Sequence, residues 1–190
     1  MSAGRHLADA LEAEQEAHEA LLAGRPTAAA YRGARDAYLA SHSVTGPRSW
    51  GRLIGALKMA ILAGDGVEPV ARRALAEAEG ADGAAAAYAR ALASVALGDR
   101  PDVSALLDQG DAFARTGRAL AALATGDASA YAAALDEIVA DFATRDRHLA
   151  GVAVADTALV LERLAEPRGL AVRPVSPLIP ASVYSQSAGL

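Results

Sequence analysis

The residues best suited to acid–base or metal chemistry are the four histidines and the carboxylates near them. Glu14 and His18 are one helical turn apart, and Glu12, Glu16 and Glu19 lie in the same stretch. A metal site of this kind needs a facing helix with a Glu-x-x-His pair, and the sequence has no such pair. The His-Glu-x-x-His pattern of zinc proteases does not occur either. We therefore expect no metal and interpret the four glutamates as a solvent-exposed acidic face of the first helix.

A second group of polar residues is the run Arg145-Asp146-Arg147-His148. An aspartate close to a histidine can orient the imidazole for general acid–base catalysis. Catalysis also requires a nucleophile or a second carboxylate, which the sequence does not identify. The alternative is that Asp146 caps a helix while the arginines form surface ion pairs. Asp146 and His148 are therefore candidate binding residues, and no catalytic residue is assigned.

Asp156 is unusual because it stands in an otherwise apolar stretch from Gly151 to Leu161. A buried carboxylate is rarely tolerated without a partner, so we expect Asp156 to face solvent or to meet an arginine. Glycine-rich phosphate loops and the Gly-x-Ser-x-Gly pattern of hydrolases do not occur. The sequence thus predicts no cofactor.

Composition and charge exclude several classes of protein. The chain has 190 residues, of which 53% are hydrophobic, so it is too apolar to be disordered. It has no cysteine and therefore no disulfide or thiol chemistry. Its 18 basic and 23 acidic residues, with no basic run, argue against nucleic-acid binding. No apolar run predicts a membrane span, and the charged start, from Arg5 onward, does not resemble a signal peptide, so we expect a cytoplasmic protein.

These residues must be positioned by helices, because alanine, leucine, glutamate and arginine dominate the sequence. Apolar stretches are closed by glycine and reopened by Asp, Ser, Thr or Pro, which are helix-end signals. The predicted helices lie near residues 3–23, from 27 to the loop at Gly46-Pro47, 49–64, 68–80, 82–98, a short one after 101, 111–126, from 127 through an apolar ridge that reaches Phe142, and 147–165.

Four junctions between these helices look alike, with a glycine before a charged residue at Gly24, Gly64, Gly98 and Gly126. Helix pairs that recur every 34 to 40 residues are typical of tetratricopeptide-like solenoids. The spacing here is irregular and the tetratricopeptide consensus is missing. We therefore expect an all-α protein, with residues 1–166 as one domain, either a tetratricopeptide-like array of antiparallel helix pairs or an irregular bundle.

Residues 167–190 differ in composition from the helical stretches before them, because they contain Pro174, Pro177 and Pro180 at a spacing of three. Such prolines align along one edge of a polyproline II helix, which could bind a partner domain in trans. The alternative, which the many aliphatic residues favour, is an extended tail packed on the last helices, with a frayed end. Of the scarce aromatic residues, Trp50 and Tyr184 are the least tied to an apolar stripe, so they are candidates for a partner interface.

The C-terminal part of the chain also resembles a known family. The run from Phe142 to Gly151, the apolar helix after it, and the segments Arg168–Val172 and Ser176–Pro180 are similar to the end of immunity protein 49 relatives over about forty residues. The resemblance implies an all-helical cytosolic protein that neutralises a cognate toxin of a contact-dependent or polymorphic toxin system. It implies no catalytic residues.

Two functional hypotheses follow. The first is a non-catalytic interaction protein, in which Glu12, Glu14, Glu16 and Glu19 meet a basic toxin surface, because complementary charge speeds association and selects partners. The second is a small-molecule-binding or hydrolytic protein that uses the region of Asp146 and His148, and a polar pocket at His148 would favour it. Neither hypothesis involves nucleic acid or a membrane, and both leave self-association open.

Overall fold

The glycine-punctuated apolar stretches fold into helices in the computed structural model, which describes residues 3–181. This confirms the all-α class, and nine α-helices occupy the described part of the chain. They are α1 Ala3–Leu22, α2 Ala28–Thr45, α3 Trp50–Ala63, α4 Val67–Ala78, α5 Ala84–Leu97, α6 Ser104–Leu107, α7 Gly110–Thr125, α8 Ala128–Ala143 and α9 Asp156–Ala165. A single turn of 3₁₀-helix, Glu166–Arg168, follows α9.

Two helix ends show why the sequence stops and restarts the helices at these points. Gly64 ends α3 with a φ of 69°, a left-handed conformation that costs glycine little. Asp127 precedes α8, and its side chain accepts a hydrogen bond from the backbone N–H of Ala130 at 2.9 Å. That bond satisfies a donor that the helix itself leaves unpaired.

The third helix lies at the centre of the molecule. It packs against α2, α4, α5 and α9, and most of its side chains are buried. Its contact with α2 is close because Gly55 faces the ring of Tyr38, and a Cβ at Gly55 would lie 2.8 Å from that ring. The only lysine of the chain, Lys58, therefore belongs to a helix surrounded by protein on most sides.

Each helix contacts the next one along the chain, but the helices do not stack as a simple array. In a solenoid each repeat contacts only the repeats beside it. Here α3 contacts α9, which is far from it along the chain. This long-range contact matches the irregular bundle, and a tetratricopeptide-like arrangement is not established.

The predicted start of the last helix is wrong. The sequence placed it near Arg147, whereas α9 begins at Asp156. Gly151 has a φ of 70°, and the backbone N–H of Ala155 donates to the carbonyl of Leu178 instead of to a helical acceptor. Residues 144–155 therefore form a non-helical connection, and Asp146 does not cap a helix.

The segment after the 3₁₀ turn lies against its own chain. Glu162, in α9 and 1% exposed, accepts hydrogen bonds from the backbone N–H groups of Val172 and Arg173. Leu178 and Ile179 belong to the main hydrophobic core. The frayed end and Tyr184, both expected from the sequence, lie outside the described residues.

Candidate functional site

A cavity of about 200 Å³ lies where the N-terminal and C-terminal helices meet. Its walls come from α1, α3, α5, α7, α8, the connection 144–155 and the first turn of α9. The connection supplies part of these walls, including Arg145, His148 and Val154. The polar groups in its walls are concentrated in two places, which we call the inner cluster (Glu14, His18, Lys58, Asp156 and Thr157) and the arginine cluster (Arg115, Asp141 and Arg145).

His18 is the most unusual member of the inner cluster. It is 2% exposed, and neither ring nitrogen has a hydrogen-bond partner among the described residues. Burial lowers its pKa to about 4, so the ring is neutral at pH 7. A neutral imidazole offers one N–H donor and one nitrogen acceptor, and leaving both unused inside a protein is costly.

Lys58 and Asp156 form an ion pair in the inner cluster. The ammonium of Lys58 lies 2.8 Å from the Asp156 carboxylate and 2.9 Å from the hydroxyl of Thr157. Burial alone would raise the pKa of Asp156, but the charge of Lys58 outweighs it and keeps the pKa below its usual range. The expectation that Asp156 faces solvent or meets an arginine is therefore wrong. Its partner is the single lysine, which sequence analysis could have singled out as the one ammonium in an arginine-rich chain.

Glu14 does not belong to an exposed acidic face. It is 4% exposed and accepts a hydrogen bond from the hydroxyl of Tyr38. Burial raises the pKa of its carboxyl, and the hydrogen bond from Tyr38 partly opposes that shift. Glu12, Glu16 and Glu19 do lie exposed on α1, so the structure divides the four predicted glutamates between surface and cavity. The physical reason is that Glu14 lies on the same side of the helix as His18.

In the arginine cluster, two guanidinium groups share one carboxylate. Arg115 Nη2 lies 2.5 Å from one oxygen of Asp141, and Arg145 Nη2 lies 2.5 Å from the other. The guanidinium of Arg145 also lies 3.8 Å from the centre of the Phe142 ring, whose other stacking neighbour is His148. Arg115 and Asp141 are 26 residues apart and on different helices, so no local pattern in the sequence could have paired them.

The remaining predicted site residues have separate locations. His148 lines the cavity, and its Nδ1 atom is buried without a partner in the described part of the chain. Asp146 is exposed and does not line the cavity. Trp50 begins α3 and is half-buried against the main core, away from the cavity walls. The structure therefore brings His148 together with Glu14, but not with Asp146 or Trp50.

The cavity walls are suited to binding more than to nucleophilic catalysis. The Lys58 amine is held as an ammonium because Asp156 raises its pKa against the effect of burial. Within residues 3–181, no hydroxyl is hydrogen-bonded to His18, as activation of a nucleophile by a general base would require. Three or more His, Asp or Glu side chains arranged to hold a metal ion do not occur there either.

A Ser49–His42–Glu77 chain of hydrogen bonds lies outside the cavity. Ser49 Oγ is 2.6 Å from His42 Nδ1, and His42 Nε2 is 2.7 Å from a Glu77 oxygen. The hydroxyl of Ser49 also lies 2.9 Å from the carbonyl of Gly46, and the tautomer of His42 decides which of the two groups receives its single proton. The chain of bonds joins α2, α4 and the loop between α2 and α3.

Comparisons of the chain with models of protein families, with curated proteins and with solved structures found no match. The resemblance to immunity protein 49 relatives therefore remains a prediction from the sequence. Among residues 3–181, no helix has both the length and the apolar character that crossing a bilayer requires.

Proposed function

We propose that this protein binds a small polar molecule in the cavity. The observation that carries the proposal is His18, which is almost fully buried, lines the cavity and has two ring nitrogens without partners. Buried polar groups in proteins nearly always have hydrogen-bond partners, and an exception requires an explanation. A ligand that hydrogen-bonds to His18 supplies one.

The size of the cavity is consistent with this proposal. An apolar cavity of about 150 Å³ accepts a benzene-sized molecule. The cavity here has about 200 Å³ and carries polar groups from several elements. Converging polar groups on partly apolar walls are typical of small-molecule sites. His148 belongs to these walls, as the second sequence hypothesis requires, whereas Asp146 does not.

The proposal is tested by a fragment screen followed by amide chemical-shift mapping on the full chain. We expect a bound fragment to shift resonances of the cavity walls, and we expect the variant His18→Leu to reduce its affinity. The matched control is His6→Leu, which changes a half-buried histidine of the same helix outside the cavity walls. Fragments that bind elsewhere, or that bind the His18→Leu variant unchanged, contradict the proposal.

We propose a second function, binding of a protein partner, on a separate observation. Asp9, Glu12, Glu16 and Glu19 are exposed on α1 at helical spacing, so they form an acidic strip. Such a strip complements a basic surface, and the resemblance to immunity protein 49 relatives implies that the partner is a bacterial toxin.

This second proposal is tested with a toxin-like protein encoded beside this chain. Replacing Glu12, Glu16 and Glu19 by glutamine should lower the affinity and weaken its dependence on salt, because long-range attraction is screened by ions. The control, with the same change in charge, replaces the exposed Asp82, Asp99 and Asp108 by asparagine. An equal effect of both triple variants would show that net charge, and not the acidic strip, governs the association.

A further inference from the structure

We propose that the ligand of the cavity is a small organic monoanion, with its anionic group at Arg115 and Arg145 and an uncharged hydrogen-bonding group at His18. This inference rests on the proposed binding function and adds the chemical class of the ligand. The inference rests on a difference in charge: Lys58 and Asp156 of the inner cluster pair one to one, whereas two arginines share one carboxylate in the arginine cluster.

The arginine cluster has an excess of one positive charge. Asp141 balances only one of the two guanidinium groups that it contacts. Arg115 uses one N–H group in these bonds and Arg145 uses two, while each guanidinium has five. Both side chains keep contact with solvent, at 17% exposure for Arg115 and 39% for Arg145. Planar guanidinium groups with free donors recognise carboxylate or phosphate oxygens.

The cavity wall outside the two clusters is largely apolar and partly aromatic. Phe113, Ile138, Phe142 and Val154 line it. The ring of Phe142 already stacks with the Arg145 guanidinium and with the His148 imidazole, at distances of 3.8 Å and 6.1 Å from its centroid. A flat, apolar ligand body fits such a surface better than a hydrated, flexible chain, because it loses little water and little conformational freedom on binding.

The part of the ligand that lies at the inner cluster should be uncharged. Lys58 and Asp156 already neutralise each other at 2.8 Å. His18 is uncharged at pH 7, since burial lowers its pKa to about 4. A ligand hydroxyl can donate to the free nitrogen acceptor of His18, whereas a second anionic group there would be buried beside the carboxyl groups of Glu14 and Asp156.

The test uses four para-substituted or unsubstituted benzene derivatives of similar size: 4-hydroxybenzoate, benzoate, 4-hydroxybenzamide and 4-hydroxybenzylamine. Calorimetric titration of the full chain at pH 7 should give the tightest binding for 4-hydroxybenzoate. We expect about tenfold weaker binding for the amide and the amine, which lack the negative charge, and for benzoate, which lacks the hydroxyl.

Variants of the protein test which residue binds the carboxylate of the probe and which binds its hydroxyl. Arg145→Gln should weaken 4-hydroxybenzoate about tenfold and leave 4-hydroxybenzamide unchanged. His18→Leu should weaken 4-hydroxybenzoate but leave benzoate unchanged. The control is Arg118→Gln, which changes an exposed arginine of α7 that pairs with Glu137 outside the cavity walls. Circular dichroism of each variant confirms that it is folded.

The outcomes separate this inference from the proposed function. Equal affinities for the acid and the amide overturn the anionic class but leave the binding function in place. Tighter binding of the amine also overturns it and assigns the cavity to cations through Glu14. If none of the four probes binds and a general fragment screen finds no ligand for the cavity, the binding function itself fails.

Discussion

In the ligand-free protein, the buried ring of His18 lowers the free energy of unfolding, and a ligand that hydrogen-bonds to the ring would remove this destabilisation. Its two ring nitrogens are buried without partners in the described part of the chain. We expect His18→Leu to raise the free energy of unfolding of the ligand-free protein by about 1 kcal/mol at pH 7, because it removes unsatisfied polar atoms and keeps a side chain of similar bulk. Urea unfolding of the two proteins measures the difference. A loss of stability of similar size would show that His18 is satisfied in solution, for example by ordered water.

The same residue predicts an effect of pH on stability. In the unfolded chain His18 takes up a proton near pH 6.5, whereas in the folded protein burial lowers its pKa to about 4. Between these two values the unfolded chain binds more protons, so stability falls as the pH is lowered through this window. The fall due to His18 should reach about 2 to 3 kcal/mol and be absent in His18→Leu. Urea unfolding of both proteins at pH 7 and at pH 4.5 measures it. Parallel pH profiles would contradict the assignment.

The Lys58–Asp156 pair makes a separate prediction. Lys58→Met leaves the Asp156 carboxylate without its counter-ion, and breaking a nearly buried pair typically costs about 3 kcal/mol. The double variant Lys58→Met/Asp156→Leu should recover most of that loss, because no charge remains to be desolvated. Asp156 has a lowered pKa, so its contribution is present above the usual aspartate value of about 3.9 and is lost as the pH falls further. Unfolding free energies of the single and double variants at pH 7 and pH 3 test both statements, and equal losses in the single and double variants would contradict the first.

At the scale of elements, the approach of α2 to α3 depends on one glycine. A Cβ at Gly55 would lie 2.8 Å from ring atoms of Tyr38. That ring is held by the bond from its hydroxyl to Glu14. Gly55→Ala should therefore lower the free energy of unfolding by about 1 to 3 kcal/mol, although alanine favours helices.

The matched control is Gly33→Ala, in the middle of α2. A Cβ there meets no atom within 4 Å, so the change should raise stability by about 0.5 to 1 kcal/mol through helix propensity alone. Thermal unfolding of both variants compares the two effects. Stabilisation by both substitutions would mean that the ring of Tyr38 moves aside at little cost.

The helices themselves could be predicted where capping signals and apolar periodicity agree. Gly64 and Asp127 mark helix ends in the sequence and do so in the structure. The start of α9 could not be predicted, because the valines and alanines before Asp156 are compatible with a helix by themselves. The competing interaction is the hydrogen bond from Ala155 to Leu178, which forms only when the tail folds back.

At the scale of the molecule, one hydrophobic core joins the two halves of the chain. It includes Ala10 of α1, the buried face of α3 and Ile179 of the tail. We therefore expect one cooperative unfolding transition, since one continuous core contains residues of both halves. The only tryptophan, Trp50, reports on α3, while far-ultraviolet circular dichroism reports on all helices. Coincident midpoints in urea would agree with a single transition, and separate midpoints would divide the chain into independent units.

The sequence by itself determined the all-α class and the ends of most helices, because capping, glycine conformation and apolar periodicity act over a few residues. It also marked Asp156 as unusual and His148 as a candidate binding residue. Only the tertiary structure decided that Glu14 turns inward, that Asp156 pairs with Lys58, and that Arg115 shares Asp141 with Arg145. These pairs join residues 26 to 98 positions apart, or depend on which side of a helix faces the bundle. Local propensities do not encode such pairings, since they arise from the packing of helices around a cavity that no single helix contains.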